Sequence, residues 1–501
     1  MTSLIIHGHF YQPPRENPRT GDIERQPGAA PYHDWNERIH AECYGPNAFA
    51  RIVSDASARF INNYAQISFN FGPTLSSWLE KHQPRTYQRI IDADAESVVR
   101  RNGHGNAIAQ AYGHAILPLL NARDRLTHVM WGLEDFRHRF RRDAEAMWLP
   151  ETACNNETLD LLIEKQMRYV ILAPNQARRV RRLTAQVWSD VSSDTLDTTR
   201  PYRFSHSDGT GRSIAVFFYH GALARSIAFE GALSSSTDLV DRFRAVAQSG
   251  PLVNVATDGE TYGHHFKFGD LCLAYVVEKE APGAGFEITN YGDYLDSHDP
   301  EFEVEIDNGA DGQGSSWSCS HGVGRWVDNC GCQTNGEPGW DQRWRKPLRE
   351  ALEFLKTDAD RNFEILGEDL FRNPWNARNA YIHVMLDERR STGEFLDEHC
   401  PALSDVDKER AITLLETQKN SLLMFTSCGW FFSDLAGIET VQVLRYAARV
   451  IELQNQIGVE SPREKFLELL AEARSNVAEK GNGAEIFMRL EGSPREMTPV
   501  V

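Results

Sequence analysis

"AMWLPETACNNETLDLLIEKQMRYVILAP", residues 146–174, predicts a strand, a helix and a second strand in close succession. The first apolar run ends at Glu151, and the second, RYVILAP at 168–174, follows the helix at once. Asn155 or Asn156 can cap the helix. Its apolar residues recur on one face: Leu159, Leu162, Ile163 and Met167. This order predicts a βαβ unit, with the carboxylate of Glu151 at the end of its first strand.

The same pattern recurs along the first half of the chain. Short runs rich in β-branched and aromatic residues each lead into a polar residue and then a turn or helix signal: 3–10, 65–72, 106–114, 146–151, 168–174, 213–220 and 252–260. Runs that are apolar on both faces are typical of parallel sheets covered by helices. We therefore predict an α/β fold with about seven parallel strands, in which functional side chains gather at the carboxyl ends of the strands.

The amino-acid composition of the sequence changes after about residue 290. Residues 291–345 are rich in Gly, Ser, Trp and Cys without a period, which predicts a long functional loop region. Residues 346–490 show helical periodicity, as in ERAITLLETQKNSLLMF and TVQVLRYAARVIELQNQI. The predicted organisation is a barrel-like catalytic domain over 1–290, a loop region over 291–345 and a helical domain over 346–490.

Composition narrows the class of protein. The 501 residues carry 71 Asp and Glu against 53 Lys and Arg, and this acidic balance disfavours nucleic acid and anionic membranes as partners. The N-terminal sequence MTSLIIHGHFYQ has no basic leader, and no stretch approaches the roughly 20 apolar residues of a membrane span. Eight cysteines in so long a chain are too sparse for a disulfide framework. We expect a cytoplasmic protein with reduced thiols.

Two carboxylates, Glu151 and Asp258, each close an apolar run beside turn-forming or small residues. A pair of acids facing each other across a cleft is what cleavage of a glycosidic bond requires, because one attacks the sugar carbon and the other protonates the leaving oxygen. Aromatic residues that could stack on sugar rings accompany them: Tyr11, Trp148, Tyr262, Trp317, Trp326 and Trp430. The spacing alone does not decide between Asp258 and Glu260 as the acid.

Four segments, HGHFYQPP, QAYGHAILPLL, MWLPETA and TDGETYGHHFKFGD, occur in this order. They resemble the first four sequence blocks of glycoside hydrolase family 57, whose members include α-amylase-like enzymes, 4-α-glucanotransferases and glycogen branching enzymes. GSSWSCSHGVGRW and TSCGWFFSDLAGIETVQVLRYAARV resemble a loop and a helical-domain block of the same family. The resemblance covers most of the chain in separate islands.

The resemblance implies an incomplete (β/α)7 barrel followed by a C-terminal α-helical bundle. It also implies retaining hydrolysis or transfer on α-linked glucans without a cofactor, with Glu151 as nucleophile and Asp258 as general acid/base. Substrate contacts are expected from the following residues: His7, His9, Gln12, His114, Trp148, Glu260, His264, Trp317, His321, Trp430 and Asp434. The expected partner is an oligo- or polysaccharide. Whether the enzyme hydrolyses, transfers or branches stays open, as does its oligomeric state.

Two other classes of function stay open at this point. Polysaccharide deacetylases and some α-mannosidases hold a divalent metal at the strand ends of a related barrel, and a comparable donor set exists here: His7, His9, His114, His264, His265 and Asp258. That hypothesis leaves Glu151 without a role. A glycan-binding protein without turnover is the third class, and the presence of both acids disfavours it.

A separate metal hypothesis concerns the loop region. Cys319 and His321 form a C-x-H pair, and Cys330 and Cys332 form a C-x-C pair. Four soft ligands can close a structural zinc site, although these spacings are shorter than the usual C-x2-C pattern. The alternative is a thiol-rich loop packed over the cleft.

Overall fold

The computed structural model describes residues 2–54, 57–386, 392–460 and 462–491. The chain divides into two compact units. The first comprises Met1–Gln12, Arg25–Tyr112 and Leu117–Ser318, and the second comprises Pro13–Glu24, Gly113–Ile116 and Cys319–Val501. Each unit therefore combines segments that are distant in sequence.

The strands all belong to the first unit. In chain order they are β1 (Thr2–Phe10), β2 (Ala50–Ser54), β3 (Ser57–Ile61), β4 (Ser68–Phe71), β5 (Ala109–Gln110), β6 (Met147–Trp148), β7 (Tyr169–Leu172), β8 (Ala177–Arg182), β9 (Ser189–Asp190), β10 (Tyr202–Ser205), β11 (Ser213–Phe218), β12 (Leu252–Asp258), β13 (Phe286–Ile288) and β14 (Phe302–Ile306). Each of the seven apolar runs singled out in the sequence contains one of them: β1, β4, β5, β6, β7, β11 and β12.

The helices of the first unit are mostly short. They are α1 (Trp35–Ile39), α2 (Gly45–Ala48), α3 (Pro73–His82), α4 (Pro84–Arg100), α5 (Ala122–Phe140), α6 (Asn156–Glu164), α7 (Gly221–Phe229), α8 (Ser236–Ala247), α9 (Gly269–Tyr275), α10 (Ala281–Gly283) and α11 (Tyr291–Leu295). Segments of π-helix join α1 to α2 and α9 to α10.

The βαβ unit predicted from residues 146–174 is confirmed as β6, α6 and β7. Asn155 is the N-cap of α6, and its side chain accepts a hydrogen bond from Thr158 N at 3.0 Å. Leu159, Leu162 and Ile163 are buried on one face of the helix, as the periodicity requires. β6 is only two residues long, because Pro150 has no N–H to donate and ends the pairing.

Parallel pairing links the seven strands side by side. β1 pairs with β12 on one edge and with β4 on the other, β5 pairs with β6, and β7 pairs with β11. Single parallel bridges, Phe69–Ala107 and Ala146–Tyr169, continue the series between these pairs. β1 is buried along nearly its whole length, and its apolar residues Leu4, Ile5 and Ile6 lie on both of its faces. All seven carboxyl ends therefore lie on the same side.

An antiparallel extension widens the sheet beyond β11. Its strands run in the order β11, β10, β14, β8 and β9, of which β10–β14 is parallel and the others are antiparallel. The arginine-rich run at 177–182 is strand β8, whose Arg179 and Arg181 pair with Glu305 and Glu303 of β14. On this partly buried pair of strands, oppositely charged side chains lie across from each other.

The second unit is helical. Its helices are α12 (Arg345–Leu370), α13 (Pro374–Ala380), α14 (Ile382–Leu386), α15 (Thr392–His399), α16 (Asp405–Leu423), α17 (Cys428–Phe431), α18 (Ile438–Gln456), α19 (Arg463–Leu470) and α20 (Gly483–Glu491). The long helices α12, α16 and α18 bury Leu352, Leu415 and Leu444, among others, on facing sides. The predicted α/β fold with a C-terminal helical region is therefore confirmed. Among the described helices, none combines the length and the apolar composition needed to cross a bilayer.

Candidate active site

Glu151 lies at the sharp turn that follows β6. Its φ and ψ angles are 58° and 22°, and Thr152 also has a positive φ of 50°. A side chain other than glycine rarely adopts this left-handed region, which costs of order 1–3 kcal/mol per residue. Three backbone hydrogen bonds hold the turn, from Thr152 N to Leu149 O at 2.8 Å, from Ala153 N to Pro150 O at 2.9 Å and from Trp317 N to Glu151 O at 3.1 Å. The turn fixes where the carboxylate points.

A loop from later in the first unit supplies hydrogen bonds to this carboxylate. Cys154 and Ser315 form an antiparallel bridge, which lays residues 315–318 alongside 151–154. Trp317 Nε1 donates to Glu151 Oε2 at 3.1 Å, and Ser318 Oγ donates to the same oxygen at 2.7 Å. Hydrogen bonds to a carboxylate favour its ionised form. Glu151 is 8% exposed, so a nearly enclosed carboxylate with two donors on one oxygen lies at this strand end.

Asp258 is the last residue of β12 and lies beside His9 in the register of β1. Its side chain reaches solvent, yet surrounding protein atoms remove much of its hydration. This loss of solvation raises the pKa of Asp258 to about 7, and the charge of Glu151 acts in the same direction. The two acids are therefore close enough for the charge of one to influence the protonation of the other.

Glu260 follows Asp258 by two residues but forms hydrogen bonds away from Glu151, with Tyr11 and Tyr44. The strand ends at Asp258, and the turn Gly259–Thr261 carries Glu260 into a buried position. Its Oε1 accepts hydrogen bonds from Tyr11 N at 3.1 Å and from the Tyr44 hydroxyl at 2.6 Å. Burial raises the pKa of Glu260 to about 8, although the bond from Tyr44 opposes the shift. The contacts of Glu260 thus connect the chain after β1 to the helical segment around Tyr44.

His7 and His9 project from the same face of β1 into one polar network. His7 Nδ1 lies 2.9 Å from Ser68 Oγ, and its Nε2 lies 3.1 Å from Asn70 Oδ1. His9 Nδ1 also contacts the Asn70 amide, whose Nδ2 donates to Gln110 Oε1 at 2.7 Å. Burial lowers the pKa of each histidine to about 3. Both rings are therefore neutral at physiological pH.

Aromatic rings lie beside Glu151 and the two histidines of β1. The Trp148 ring stacks on His7 and His9, with ring centroids 4.8 and 4.9 Å apart. Trp317 packs edge-on against Trp148 at 5.2 Å and against Tyr219 at 6.3 Å. Trp148 is buried, whereas Trp317 is half-buried. The structure thus brings Trp148 and Trp317 together beside Glu151.

Gln12 and His264 occupy more peripheral positions in the first unit. Gln12 is buried, and its Nε2 donates to Tyr11 O at 2.9 Å. The His264 ring hydrogen-bonds Glu42 through Nδ1 and lies edge-on to Trp35. Although partial burial opposes the shift, the bonds from His264 and Arg38 lower the pKa of Glu42. The predicted roles of Gln12 and His264 in substrate binding stay predictions.

The other expected contact residues belong to the second unit. His114 Nδ1 lies 2.7 Å from Ser427 Oγ, and Trp430 is fully buried with its Nε1 donating to Arg345 O at 3.1 Å. Asp434 accepts hydrogen bonds from Ser475 Oγ and from Asn476 N. His321 lies next to Cys332. Each of these residues makes contacts inside its own unit, and their predicted roles toward substrate are untested.

Three residues that the sequence-based site did not include interact with its acids or histidines. Ser318 donates to Glu151, and Asn70 joins His7 to His9. Burial raises the pKa of Tyr219, and the charge of Asp258 acts in the same direction. For each of these residues, the sequence gives only a weak indication of a place in the site. Ser318 follows the singled-out Trp317, whereas Asn70 and Tyr219 lie at the ends of predicted strands.

Among the described residues, one group of three or more His, Cys, Asp or Glu side chains is arranged to share a metal ion, and it is the set of Cys319, His321, Cys330 and Cys332. The strand-end histidines and Asp258 do not form such a group. Both ring nitrogens of His7 are already engaged with Ser68 and Asn70. This arrangement disfavours the hypothesis of a metal-dependent deacetylase or mannosidase.

Comparison with known families assigns most of the chain. Residues 25–306 match the model described as "Glycosyl hydrolase family 57", and residues 340–496 match a "Domain of unknown function (DUF3536)". No curated protein matches the chain. The family match contains Glu151 and Asp258, whereas the second match coincides with the helical region.

Several solved structures with a similar fold are remote in sequence. An exo-type maltose-forming amylase from Pyrococcus sp. ST04 gives a TM-score of 0.66 at 14% identity, covering 97% of this chain and 90% of that one. A GH57-type branching enzyme from Pyrococcus horikoshii gives 0.55 at 14% identity, covering 100% and 98%. A 4-alpha-glucanotransferase from Thermococcus litoralis gives 0.52 at 16% identity, covering 91% and 60%. These likenesses concern the fold.

Proposed function

Because this chain belongs to glycosyl hydrolase family 57, we propose that it cleaves α-glucosidic bonds in an α-linked glucan with retention of configuration. The glucosyl group passes through Glu151 to water or to the hydroxyl of a second glucan. The chain is a glycoside hydrolase or transglycosylating enzyme. The observation that carries the mechanism is the pKa of Asp258, raised to about 7 beside the hydrogen-bonded carboxylate of Glu151.

The proposed scaffold is an incomplete (β/α)7 barrel. Parallel pairs and bridges connect seven strands in the order β12, β1, β4, β5, β6, β7 and β11. A backbone hydrogen bond from His220 N to Asn254 O, 2.9 Å long, joins the segment after β11 to β12. Glu151 follows the carboxyl end of β6 and Asp258 ends β12, which is the side where barrel enzymes carry their active sites.

In the first step, Asp258 acts as a general acid. It gives its proton to the glycosidic oxygen while a Glu151 carboxylate oxygen attacks the anomeric carbon. The bond between the anomeric carbon and the leaving oxygen breaks, and its electrons remain on the departing glucan hydroxyl. The products are a free acceptor end and a glucosyl ester on Glu151.

In the second step, Asp258 acts as a general base. It takes a proton from water or from an incoming glucan hydroxyl, whose oxygen attacks the anomeric carbon and displaces Glu151. Two displacements at the same carbon restore the original configuration. Water as acceptor gives hydrolysis, and a glucan hydroxyl gives transfer or branching.

The surroundings of the acids suit this division of roles. Hydrogen bonds from Ser318 and Trp317 stabilise Glu151 as an anion ready for attack, whereas desolvation keeps a proton on Asp258 near neutral pH. We assign to the half-buried ring of Trp317, which donates a hydrogen bond to Glu151, the role of stacking on a sugar face. The neutral rings of His7 and His9 stack on Trp148 and hold its orientation in the site.

An α-linked glucan is the substrate class that the comparisons support. The structural relatives are named as a maltose-forming amylase, a branching enzyme and a 4-alpha-glucanotransferase, and such enzymes share α-glucan chemistry. Maltodextrins and glycogen are therefore the substrates to test first.

Product analysis tests this proposal. The purified protein is incubated with maltodextrin or glycogen, chain lengths and branch content are followed, and the anomeric form of new reducing ends is read by proton NMR. The Glu151→Gln variant serves as the inactive control. We expect redistribution or shortening of chains, with α-anomers formed first. No change in any α-glucan, or β-anomers formed first, contradicts the proposal.

A further inference from the structure

We propose that Cys319, His321, Cys330 and Cys332 bind one zinc ion that stabilises the loop of residues 319–332 in the second unit. One ligand atom from each of these residues lies within 4.8 Å of all the others. This site is separate from the chemistry of Glu151 and Asp258 and does not depend on the proposed function. Its four protein ligands leave no open coordination position, which is typical of structural zinc.

Three of the six distances between ligand atoms are close to the edges of a tetrahedron around a single zinc ion. Cys319 Sγ lies 3.9 Å from Cys330 Sγ and 3.8 Å from Cys332 Sγ, and Cys332 Sγ lies 3.6 Å from His321 Nδ1. Zinc–sulfur bonds of about 2.3 Å and zinc–nitrogen bonds of about 2.0–2.1 Å give tetrahedral edges of about 3.8 Å and about 3.5 Å. The sulfur atoms are also too far apart for a disulfide, which needs about 2.05 Å.

The backbone of the loop is shaped for this convergence. Gly322 and Gly331, each next to a ligand residue, have positive φ angles of 73° and 83°. A Cβ atom on Gly324 would lie 3.1 Å from Cys330 Cβ, so glycine there allows the two halves of the loop to approach. The short C-x-H and C-x-C spacings that argued against zinc are thus accommodated by glycines.

Backbone N–H groups point at the sulfur atoms, as thiolate ligands require. Those of His321 and Arg325 are directed at Cys319 Sγ, and that of Cys332 is directed at Cys330 Sγ. Such donors stabilise the charge of a metal-bound thiolate and fix its orientation.

Arg345 is a buried cation beside the cluster, and its positive charge would balance the negative charge of the zinc site. Three thiolates, one neutral imidazole and a zinc ion carry a net charge of −1. Arg345 is completely buried, and its Nη1 lies 2.9 Å from Cys332 O and 4.0 Å from Cys330 Sγ. Its Nε and Nη2 have no hydrogen-bond partner in the described part of the chain. A buried guanidinium without a carboxylate partner is costly unless another anion lies close by, and the zinc–thiolate centre is that anion.

Metal analysis tests the site directly. The full chain is expressed with zinc in the medium, purified under reducing conditions without chelators or a polyhistidine tag, and measured by elemental mass spectrometry. We expect about one zinc per chain. The double variant Cys330→Ser/Cys332→Ser should lose most of this zinc, whereas Cys272→Ser, which changes a cysteine outside the cluster, should keep it.

Cobalt reconstitution keeps the test decisive if the double variant does not fold. Wild-type protein stripped of metal and refilled with Co(II) should show thiolate-to-cobalt charge-transfer bands and strong visible bands of tetrahedral cobalt. Zinc should displace them. Wild-type protein without stoichiometric zinc and without these cobalt bands would overturn the proposal. Stoichiometric iron in place of zinc, or a zinc loss in Cys272→Ser equal to that in the double variant, would overturn it as well.

Discussion

Ser318 Oγ lies 2.7 Å from Glu151 Oε2 and donates a hydrogen bond to it, beside the bond that Trp317 Nε1 donates to the same oxygen. A loop residue more than 160 positions downstream thus stabilises a carboxylate held in a left-handed turn. The proposed nucleophile therefore depends on the loop of residues 315–318 for its charge and on β6 for its position.

Replacing Ser318 by alanine should weaken the nucleophile without unfolding the protein. A hydrogen bond to a charged group contributes about 1.5–3 kcal/mol, so kcat/KM should fall about tenfold or more. The acid limb of the pH–rate profile should also move to higher pH, because the ionised carboxylate loses a donor. Ser318→Thr retains the hydroxyl and should restore most activity. Equal loss in both variants would indicate a packing effect alone.

Glu151→Gln should reduce kcat on maltodextrin by about 10³-fold or more, because an amide cannot form the glucosyl ester. Circular dichroism and the thermal unfolding midpoint should stay close to those of the wild type. Glu157→Gln, on the exposed first turn of α6, is the matched control and should keep full activity. If Glu151→Gln turned over at near wild-type rates, the residue would not be the nucleophile.

The pH dependence of kcat/KM should reflect the raised pKa of Asp258. The general acid works only while protonated, so activity on glucans should decline as pH rises through about 7. Asp258→Asn should abolish this alkaline limb. Its rate of glucosyl-ester formation should fall far less for α-glucosyl fluoride, whose leaving group needs little protonation, than for maltotriose. A uniform loss with both substrates would contradict the acid role.

Glu260 should make stability depend on pH. Its pKa is raised to about 8 in the folded protein from an ordinary value near 4.5, so the folded state holds its proton more tightly. Its contribution is present below about pH 4.5 and is lost as pH rises through about 8. Glu260→Gln keeps an acceptor for Tyr11 N and the Tyr44 hydroxyl but cannot ionise. The wild type should therefore lose stability relative to this variant between pH 5 and 8 in urea unfolding, and parallel pH curves would contradict this role.

The cap of α6 can be tested by a stability measurement. Asn155→Ala removes the side-chain oxygen that accepts from Thr158 N, and the free energy of unfolding should fall by about 1–2 kcal/mol. Asn156→Ala changes the next residue but keeps the cap, so its effect should stay within about 0.5 kcal/mol. Similar losses in both variants would mean that Asn155 does not act through its cap.

Local patterns were sufficient to predict the parallel strands. The apolar run before Glu151, the asparagine cap and the one-face spacing of Leu159 and Leu162 all describe interactions within a few residues, so they are readable in sequence. β8 and β14 were not predicted, because Arg179 and Arg181 look like solvated charges until Glu305 and Glu303 are brought opposite them. The family resemblance named from four motifs is confirmed by the match over residues 25–306.

The two acids of the site could be predicted from the sequence, but the hydrogen bonds that they accept could not. The two carboxylates end apolar runs, which is a local signal, whereas the bond from Ser318 to Glu151 joins distant segments and has none. Likewise, residue spacing could not decide whether Asp258 and Glu260 point the same way. In the structure the strand ends at Asp258, and Glu260 lies in the following turn, where it hydrogen-bonds Tyr44. The three-part domain boundaries, the cytoplasmic location and the role of each contact residue stay predictions.

Identification of the covalent intermediate tests the central claim most directly. The Asp258→Asn variant is incubated with α-maltosyl fluoride, quenched in acid, digested and analysed by mass spectrometry, since loss of the base slows release of the ester. We predict a maltosyl ester on Glu151 in a peptide from residues 147–164. A maltosyl ester on another carboxylate, or fluoride release in several turnovers with β-configured products and no ester, would contradict the account.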